Sequence, residues 1–447
     1  MNAVVLVACV AGFVTALDNN VLVVALPVIG ADLGLSTGDL QWAVVSYMLV
    51  FASLMPAAGA AGDRFGPRRV LITGLVGFAA ASLGCGTADD AWALSLWRAA
   101  QGAAAAAVVP TGLAVLRTEL DADRRRLGIA AWTGALAVAL AVGPALGGLL
   151  AEAAHWRWIF LGNVPVCAAA ALLAHRALPS RPTAPTPLPV RSTVALTVAV
   201  FAVTAAVLGA GPVTAASAVV ACLVFRSVER SAAHPLLPRS AIGLRAFATG
   251  TVAQALWGLA ISGVLFVLPL HLHRAEGFTP LETGLFLVPA AVAVIAGAPA
   301  VPFLVTRFGA TRTAGSGLVA VTAGLLVAPV VPVAGVLVCL VVVGFGSALT
   351  TPLTTTVLDA ADERFAGVAS AAVTASRELA GALGVAAVGL AFTSSGFAAA
   401  AWSAAAATVL ALAVSRSGGR GGGRDHRRAR RRPRLTGGAP PRRVTGS

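Results

Sequence analysis

The sequence predicts an all-α bundle of fourteen membrane-spanning helices, and three observations carry that prediction. Hydrophobic residues make up 58% of the chain and charged ones 11%, against roughly 25% charged in soluble domains, and the mean hydropathy is +0.87. Charges and Pro/Gly breaks divide the chain into apolar runs, most of them near the ~20 residues that cross a bilayer core of roughly 30 Å. Finally, all 32 basic residues are arginine, and they gather in alternate gaps between the runs. Inside lipid an unpaired backbone group finds no partner, so such runs are read as helices.

The first six runs fall at 3–29, 41–61, 70–88, 92–115, 128–150 and 159–178. The opening one has the look of a signal peptide, but it lacks a basic start and continues past Asp18 to Ile29, so it reads as a retained span. The seventh and eighth, 193–209 and 212–226, are the hardest to place: the uncharged stretch from Ser192 to Phe225 is broken at Gly209-Ala210-Gly211-Pro212, and it is long for one crossing and short for two. Arg176, Arg181 and Arg191 precede it and Arg226, Arg230, Arg239 and Arg245 follow it. Both flanks therefore lie on one side, which requires an even number of crossings. The remaining runs are 246–270, 281–305, 312–331, 334–358, 366–392 and 397–414.

With the N-terminus inside, only Arg157 and Arg274 lie in outer loops, and only Arg98 and Arg377 lie within spans. Every other arginine is then cytoplasmic, as the positive-inside rule requires, and both termini are expected inside. Pro179–Ser192 is a proline-rich cytoplasmic linker. The Arg- and Gly-rich tail 416–447 is expected to be disordered and to touch anionic lipid headgroups rather than nucleic acid, despite a net charge of +14. Arginine in place of every lysine, with abundant Ala, Gly and Val, points to a GC-rich bacterial genome. The cysteines Cys9, Cys85, Cys167, Cys222 and Cys339 are scattered in apolar runs and read as small core residues. His271, His273 and Glu276, at an outer span end, read as interfacial and not as metal ligands. No P-loop, nucleophile–base pair or zinc motif is present, which argues against an enzyme or an ATP-driven pump.

Charge inside the apolar runs is where chemistry is expected, because an intramembrane ionisable group is costly and functional by default. Asp18 lies about nine residues from the outer end of its span, roughly 13 Å deep. It reads as a proton- or substrate-coupling carboxyl, or as a carboxyl held by Asn19 and Asn20. Arg98 lies at comparable depth; it shares a polar cavity with Asp18, or snorkels to the interface beside Trp92 and Trp97. Arg377 and Glu378 sit mid-span. Glu378 is either a second substrate or proton carboxyl or a neutraliser of charge within the bundle, and adjacent helical positions, about 100° apart, do not assure a direct pair.

Five stretches carry a family resemblance. They are Gly59-Ala60-Ala61-Gly62-Asp63-Arg64-Phe65-Gly66-Pro67-Arg68-Arg69, Leu17-Asp18-Asn19-Asn20-Val21 with Ala25-Leu26-Pro27, Trp97-Arg98-Ala99-Ala100-Gln101-Gly102, Gly143-Pro144-Ala145-Leu146-Gly147-Gly148, and the string from Trp156 to Pro165. In this order, at these spans, they resemble the major facilitator superfamily and its fourteen-span drug:proton antiporters of the EmrB/QacA type. Pro67, Asn19, Asn20, Ala130, Ala139 and Glu378 depart from the family pattern, and the second half repeats the charged turn only weakly, at Val305–Arg312.

The resemblance implies two six-helix bundles, 1–178 and 227–415, flanking two extra helices at 193–226. It implies coupling through Asp18, Arg98 and Arg377, with Gln101 as a polar cavity residue; Glu378, Asn19 and Asn20, which depart from the pattern, join them as coupling and cavity candidates on their own chemistry, as polar groups within apolar runs. Gly59, Asp63, Arg64, Gly66, Arg68 and Arg69 would form a gate, with Asp63 at a helix N-terminus and Arg64 and Arg68 paired with carboxylates across the two halves. Gly143, Pro144, Gly147 and Gly148 would form a hinge or close helix contact. The implied activity is proton-driven export of an amphipathic compound from the bacterial plasma membrane by a monomer, with no cofactor beyond the proton gradient. Export of one dedicated metabolite and a non-transporting sensor are the alternatives.

Overall fold

A computed structural model of the chain describes residues 3–180, 188–209, 211–233, 235–236, 245–360 and 366–430. Apart from short connecting turns, the described residues are helical. The first half comprises α1 (Ala3–Asp32), α2 (Thr37–Phe65), α3 (Pro67–Gly86), α4 (Ala91–Glu119), α5 (Ala122–Ala153), the single turn α6 (Trp158–Leu161) and α7 (Asn163–Ala177). A hairpin follows, α8 (Val190–Gly209) and α9 (Pro212–Ser231). The second half comprises α10 (Arg245–Glu276), α11 (Pro280–Gly297), α12 (Ala300–Phe308), α13 (Ala310–Val327), α14 (Val333–Leu349), α15 (Pro352–Ala360) and α16 (Ala366–Arg430). Thirteen helical segments are long and apolar enough to cross a membrane, and the last of them, Ser370–Ser417, is divided into two arms by Gly396 at φ 79°. The described residues thus supply the fourteen apolar segments counted from the sequence.

Hydroxyl and carboxylate side chains cap the starts of several of these helices. Ser36 and Asp39 form a reciprocal capping box, Asp90 caps α4, Asp121 caps α5, and Thr279 with Glu282 forms a second box at α11. Each satisfies backbone N–H groups that a helix start leaves orphaned. The hairpin resolves the ambiguity at 193–226, because α8 begins three residues earlier than the apolar run, at Val190, and α9 continues through Arg226 and Arg230 to Ser231. Each then has 20 residues, enough for roughly 30 Å at 1.5 Å per residue.

The charged turn is an internal repeat in conformation as well as in sequence. Gly66 between α2 and α3 has φ 89° and Gly309 between α12 and α13 has φ 85°, a region a Cβ disfavours. The last helix, α16, runs as far as Arg430 and so includes the start of the Arg- and Gly-rich tail. Residues 431–447, and 181–187 of the proline-rich linker, lie outside the described residues.

Packing divides the molecule into two groups of helices. In the first half α1 packs on α5, α2 and α3 on α4, and α3 on α7; in the second α10 packs on α16, α11 on α14, and α13 on α14 and α16. The groups meet where α5 packs on α11 and α2 on α16. The hairpin leans on α2 and α16, with Trp42 of α2 stacked on Phe201 of α8 at 6.2 Å.

Candidate functional site

Between the two groups of helices lies a cavity of about 2490 Å³. Asp63, Pro67, Arg117, Arg226 and Arg230 line one end of it, all from the arginine-rich side of the chain. The opposite end is closed. There a Cβ added to Gly148 of α5 would lie 2.7 Å from Leu281 Cα, and one on Gly284 of α11 would lie 2.9 Å from the carbonyl carbon of Pro144. Leu281 N donates to Glu152 Oε2 at 3.0 Å, Arg274 donates to Thr37 Oγ1 at 3.2 Å, and Gln41 Nε2 of α2 donates to Val385 O of α16 at 2.8 Å. The GPxxGG run is therefore the seam between the halves at their closed end. On the other face of α5, Gly143 and Gly147 admit α1, where an added Cβ would meet Asn20 Cβ at 2.6 Å and the Val21 carbonyl carbon at 3.0 Å.

The carboxyl of Asp18 sits deep in the first half and is 1% exposed. Arg98 Nη1 donates to Asp18 Oδ2 at 2.5 Å and to Gln101 Oε1 at 2.7 Å, and Arg98 Nε donates to Ala43 O at 3.2 Å. Asn163 Nδ2 donates to Asp18 Oδ1 at 2.7 Å, and Gln101 Nε2 reaches Asp18 Oδ1 at 3.2 Å and Ser82 Oγ at 2.8 Å. Arg98 is fully buried, with its Cζ 4.4 Å from the Tyr47 ring centroid and 6.0 Å from that of Phe160. A charged pair taken out of water is costly unless its remaining polar positions are satisfied; here α1, α3, α4 and α7 each supply a member, and Arg98 Nη2 is left without a hydrogen-bond partner.

This geometry decides two of the alternatives left open by sequence. Asn19 and Asn20 do not hold Asp18: Asn19 lines the cavity, and Asn20 Nδ2 donates to Ala16 O at 2.7 Å. Nor does Arg98 snorkel, since it is buried while Trp92 is 86% exposed. Asp18, Arg98 and Gln101 also lie behind the cavity wall and not on it. The string from Trp156 to Pro165 builds one side of the cluster. Trp156 Nε1 donates to Asp32 Oδ2 at 2.8 Å, Arg157 pairs with Asp89 at 3.0 Å, Phe160 faces Arg98 and Asn163 binds Asp18.

The second carboxyl does reach the cavity. Arg377 and Glu378 both line it, and they pair directly, Nη2 to Oε1 at 2.6 Å and Nε to Oε1 at 3.2 Å. The guanidinium stem is long enough to fold back across the 100° that separates adjacent residues.

The charged turn behaves differently from the cross-half gate expected of it. Gly59 and Asp63 line the cavity. Arg64 lies over its neighbour Phe65, 5.4 Å from the ring centroid. Arg68 donates to His175 O at 2.5 Å, within its own half, and to Ser180 Oγ at 2.6 Å, at the start of the linker, and the Arg69 carbonyl accepts from Thr73 at 3.0 Å. Among the described residues no carboxylate pairs with Arg64 or Arg68 across the halves. The halves stand apart at this end, so such contacts have no partner within reach in this conformation. At the closed end His271 stacks on Phe397 at 4.3 Å and His273 meets Phe278 O at 3.0 Å. Among the described residues no group of three His, Cys, Asp or Glu is placed to hold a metal.

Sequence reasoning assigned no role to Asn163, Gln41 or Tyr47. The signal available for the first two was a polar side chain inside an apolar run. For Tyr47 it was only that the chain has a single tyrosine.

A many-helix membrane protein of two packed halves around a cavity shut at one end has the form of a membrane transporter. The chain belongs to the Major Facilitator Superfamily, whose family profile matches residues 8–385. It is 34% identical over 410 residues to the cephamycin export protein CmcT of Amycolatopsis lactamdurans, covering 87% of this chain and 84% of that protein. It is 33% identical over 394 residues to the multidrug efflux pump LfrA of Mycolicibacterium smegmatis, covering 85% and 78%. It is 32% identical over 305 residues to the tetracenomycin C resistance and export protein of Streptomyces glaucescens, covering 66% of this chain but only 57% of that longer relative. Among solved structures, a crystal structure of the peptide transporter POT superposes with a TM-score of 0.71 at 17% identity, covering 93% of this chain and 95% of that one, a likeness of fold alone.

Proposed function

We propose that this protein exports small amphipathic organic compounds across the bacterial plasma membrane in exchange for protons, by alternating access. One observation carries the reading: a buried carboxylate–guanidinium pair, Asp18 with Arg98, lies directly behind the wall of a large cavity that opens at the arginine-rich end. With both termini in the cytoplasm, as the arginine distribution requires, that opening faces inward. Substrate enters there, among apolar walls punctuated by Asn19 and the Arg377–Glu378 pair. A proton taken by Asp18 neutralises one partner of the ion pair and frees Arg98 to change partners. Chemistry at the buried site is thereby tied to which end of the seam is packed. Gly143, Pro144, Gly147 and Gly148 act as the seam, and the turn from Gly59 to Arg69 forms its cross-half contacts in the opposite conformation.

The names of the relatives support export of antibiotic-like compounds. Two of the three described above are named for a single antibiotic each, which favours a dedicated exporter as the second reading. Expression in an efflux-deficient host separates the two. Resistance to several unrelated compounds supports the multidrug form and resistance to one supports the dedicated form. If purified protein in liposomes exchanges no compound of a broad panel for protons, the export reading falls.

A further inference from the structure

We propose that the ring of Tyr47 is the seal between the transport cavity and the buried ion pair, and that an aromatic substrate stacking on its cavity side lifts it from Arg98 and admits water to Asp18. The inference rests on the proton-exchange reading above and names the residue through which substrate acts on that site.

Tyr47 is in contact with both compartments. On the cavity side it stacks on Phe51, one turn along α2, at 5.8 Å and 17°, and both rings line the cavity. On the buried side its ring lies 4.4 Å from Arg98 Cζ. The ring is thus the common wall, and it is only 5% exposed. Arg98 Nη2 is buried without a hydrogen-bond partner. With no oxygen at that nitrogen, the rings of Tyr47 and Phe160, 4.4 and 6.0 Å from Arg98 Cζ, stabilise the guanidinium by cation–π attraction that strengthens away from water. Displacing Tyr47 removes the nearer of the two and frees Arg98 to seek water.

The backbone beneath the ring is pinned. Gly102 of α4 lets that helix approach so closely that an added Cβ would lie 3.1 Å from the Tyr47 Cα and carbonyl carbon. The response to a substrate must therefore come from the side chain. A flat aromatic molecule competes for the face of Phe51 and Tyr47, so planar aromatic cations and neutral aromatics are the substrate class this device senses.

The test uses the full chain in proteoliposomes with a trapped pH dye, and ethidium as the probe. Without ethidium, wild type is expected to be proton-tight. Tyr47→Ala and Tyr47→Leu are expected to raise ethidium-independent proton flux by about tenfold, the order expected for loss of a desolvated cation–π contact. Tyr47→Phe, which keeps the π face, stays tight. Because the chain has one tyrosine, biosynthetic fluorotyrosine gives a single fluorine resonance, which ethidium is expected to move in the unmutated protein. The proposal is overturned if Tyr47→Leu is as tight as wild type, if Tyr47→Phe leaks like Tyr47→Leu, or if saturating ethidium leaves the resonance in place. Failure of wild type to exchange ethidium for protons would count against the export reading instead. The leak comparison, made without ethidium, still decides the seal.

Discussion

Alanine at Gly148 is expected to drive the protein out of the conformation described above while leaving each half folded. The added Cβ would lie 2.7 Å from Leu281 Cα and closer still to the Pro280 carbonyl oxygen. Those backbone atoms cannot yield locally. They belong to the first turn of α11, tied by the Thr279–Glu282 capping box and by the 3.0 Å bond from Leu281 N to Glu152. Relief comes only from parting α5 and α11, which is to say from opening the closed end. Overpacking of this kind costs about 1–3 kcal/mol, and a difference of that size shifts a two-state equilibrium by roughly 5- to 150-fold. Gly134 on the same helix has nothing within 4 Å of an added Cβ, so Gly134→Ala is the control for effects on the helix itself. Spin labels at Trp92→Cys and Glu276→Cys, in a background with Cys9 and Cys222 changed to serine, would report separation of the halves by pulsed EPR. A longer-distance population is expected in Gly148→Ala and not in Gly134→Ala, with ethidium export reduced and the thermal midpoint held. An unchanged distance distribution together with full export by Gly148→Ala would refute the reasoning.

Three other outcomes follow from the site geometry. Arg98→Ala leaves Asp18 buried without its counter-charge and is expected to cost about 3–5 kcal/mol. The double variant with Asp18→Asn should regain much of that, and equal thermal midpoints for single and double variants would count against the pair. Asn163→Ala removes the 2.7 Å bond to Asp18 Oδ1, a charge-assisted bond of about 1.5–3 kcal/mol. It is expected to displace the pH profile of ethidium–proton exchange, whereas a purely structural Asn163 would lower stability and leave that profile in place. Glu378→Gln removes the carboxylate paired with Arg377 on the cavity wall at 2.6 Å. Export of ethidium is expected to fall by up to about fivefold, the scale of a partly exposed charge interaction, with export of an uncharged aromatic compound unaffected.

The span pattern and the motif order were legible in the chain because lipid imposes strong one-dimensional constraints. A crossing needs a run of fixed length, and charge must lie at its ends. The hairpin α8–α9 was half legible: parity demanded two crossings, but their extent past Arg226 and Arg230 emerges only when the hairpin is packed beside α2. The coupling residues were legible one at a time, as costly charges in apolar runs, without their partners. Asp18 looked as close to Asn19 and Asn20 as sequence can place anything, yet its oxygens are taken by Arg98, Gln101 and Asn163.

By itself, then, the sequence determined that this is a polytopic helical membrane protein of the major facilitator type, with Asp18, Arg98, Arg377 and Glu378 as charges placed within apolar runs at a cost. Those conclusions rest on hydropathy, charge placement and motif spacing, which are properties of the chain read in order. Only the tertiary structure decided which charges meet, that Asp18 and Arg98 lie behind the cavity wall while Arg377 and Glu378 stand on it, and which end is shut. Partners 80 and 145 residues apart are brought together by helix packing. Packing depends on shape in three dimensions, on where a glycine lets one backbone approach another, and no local pattern encodes that.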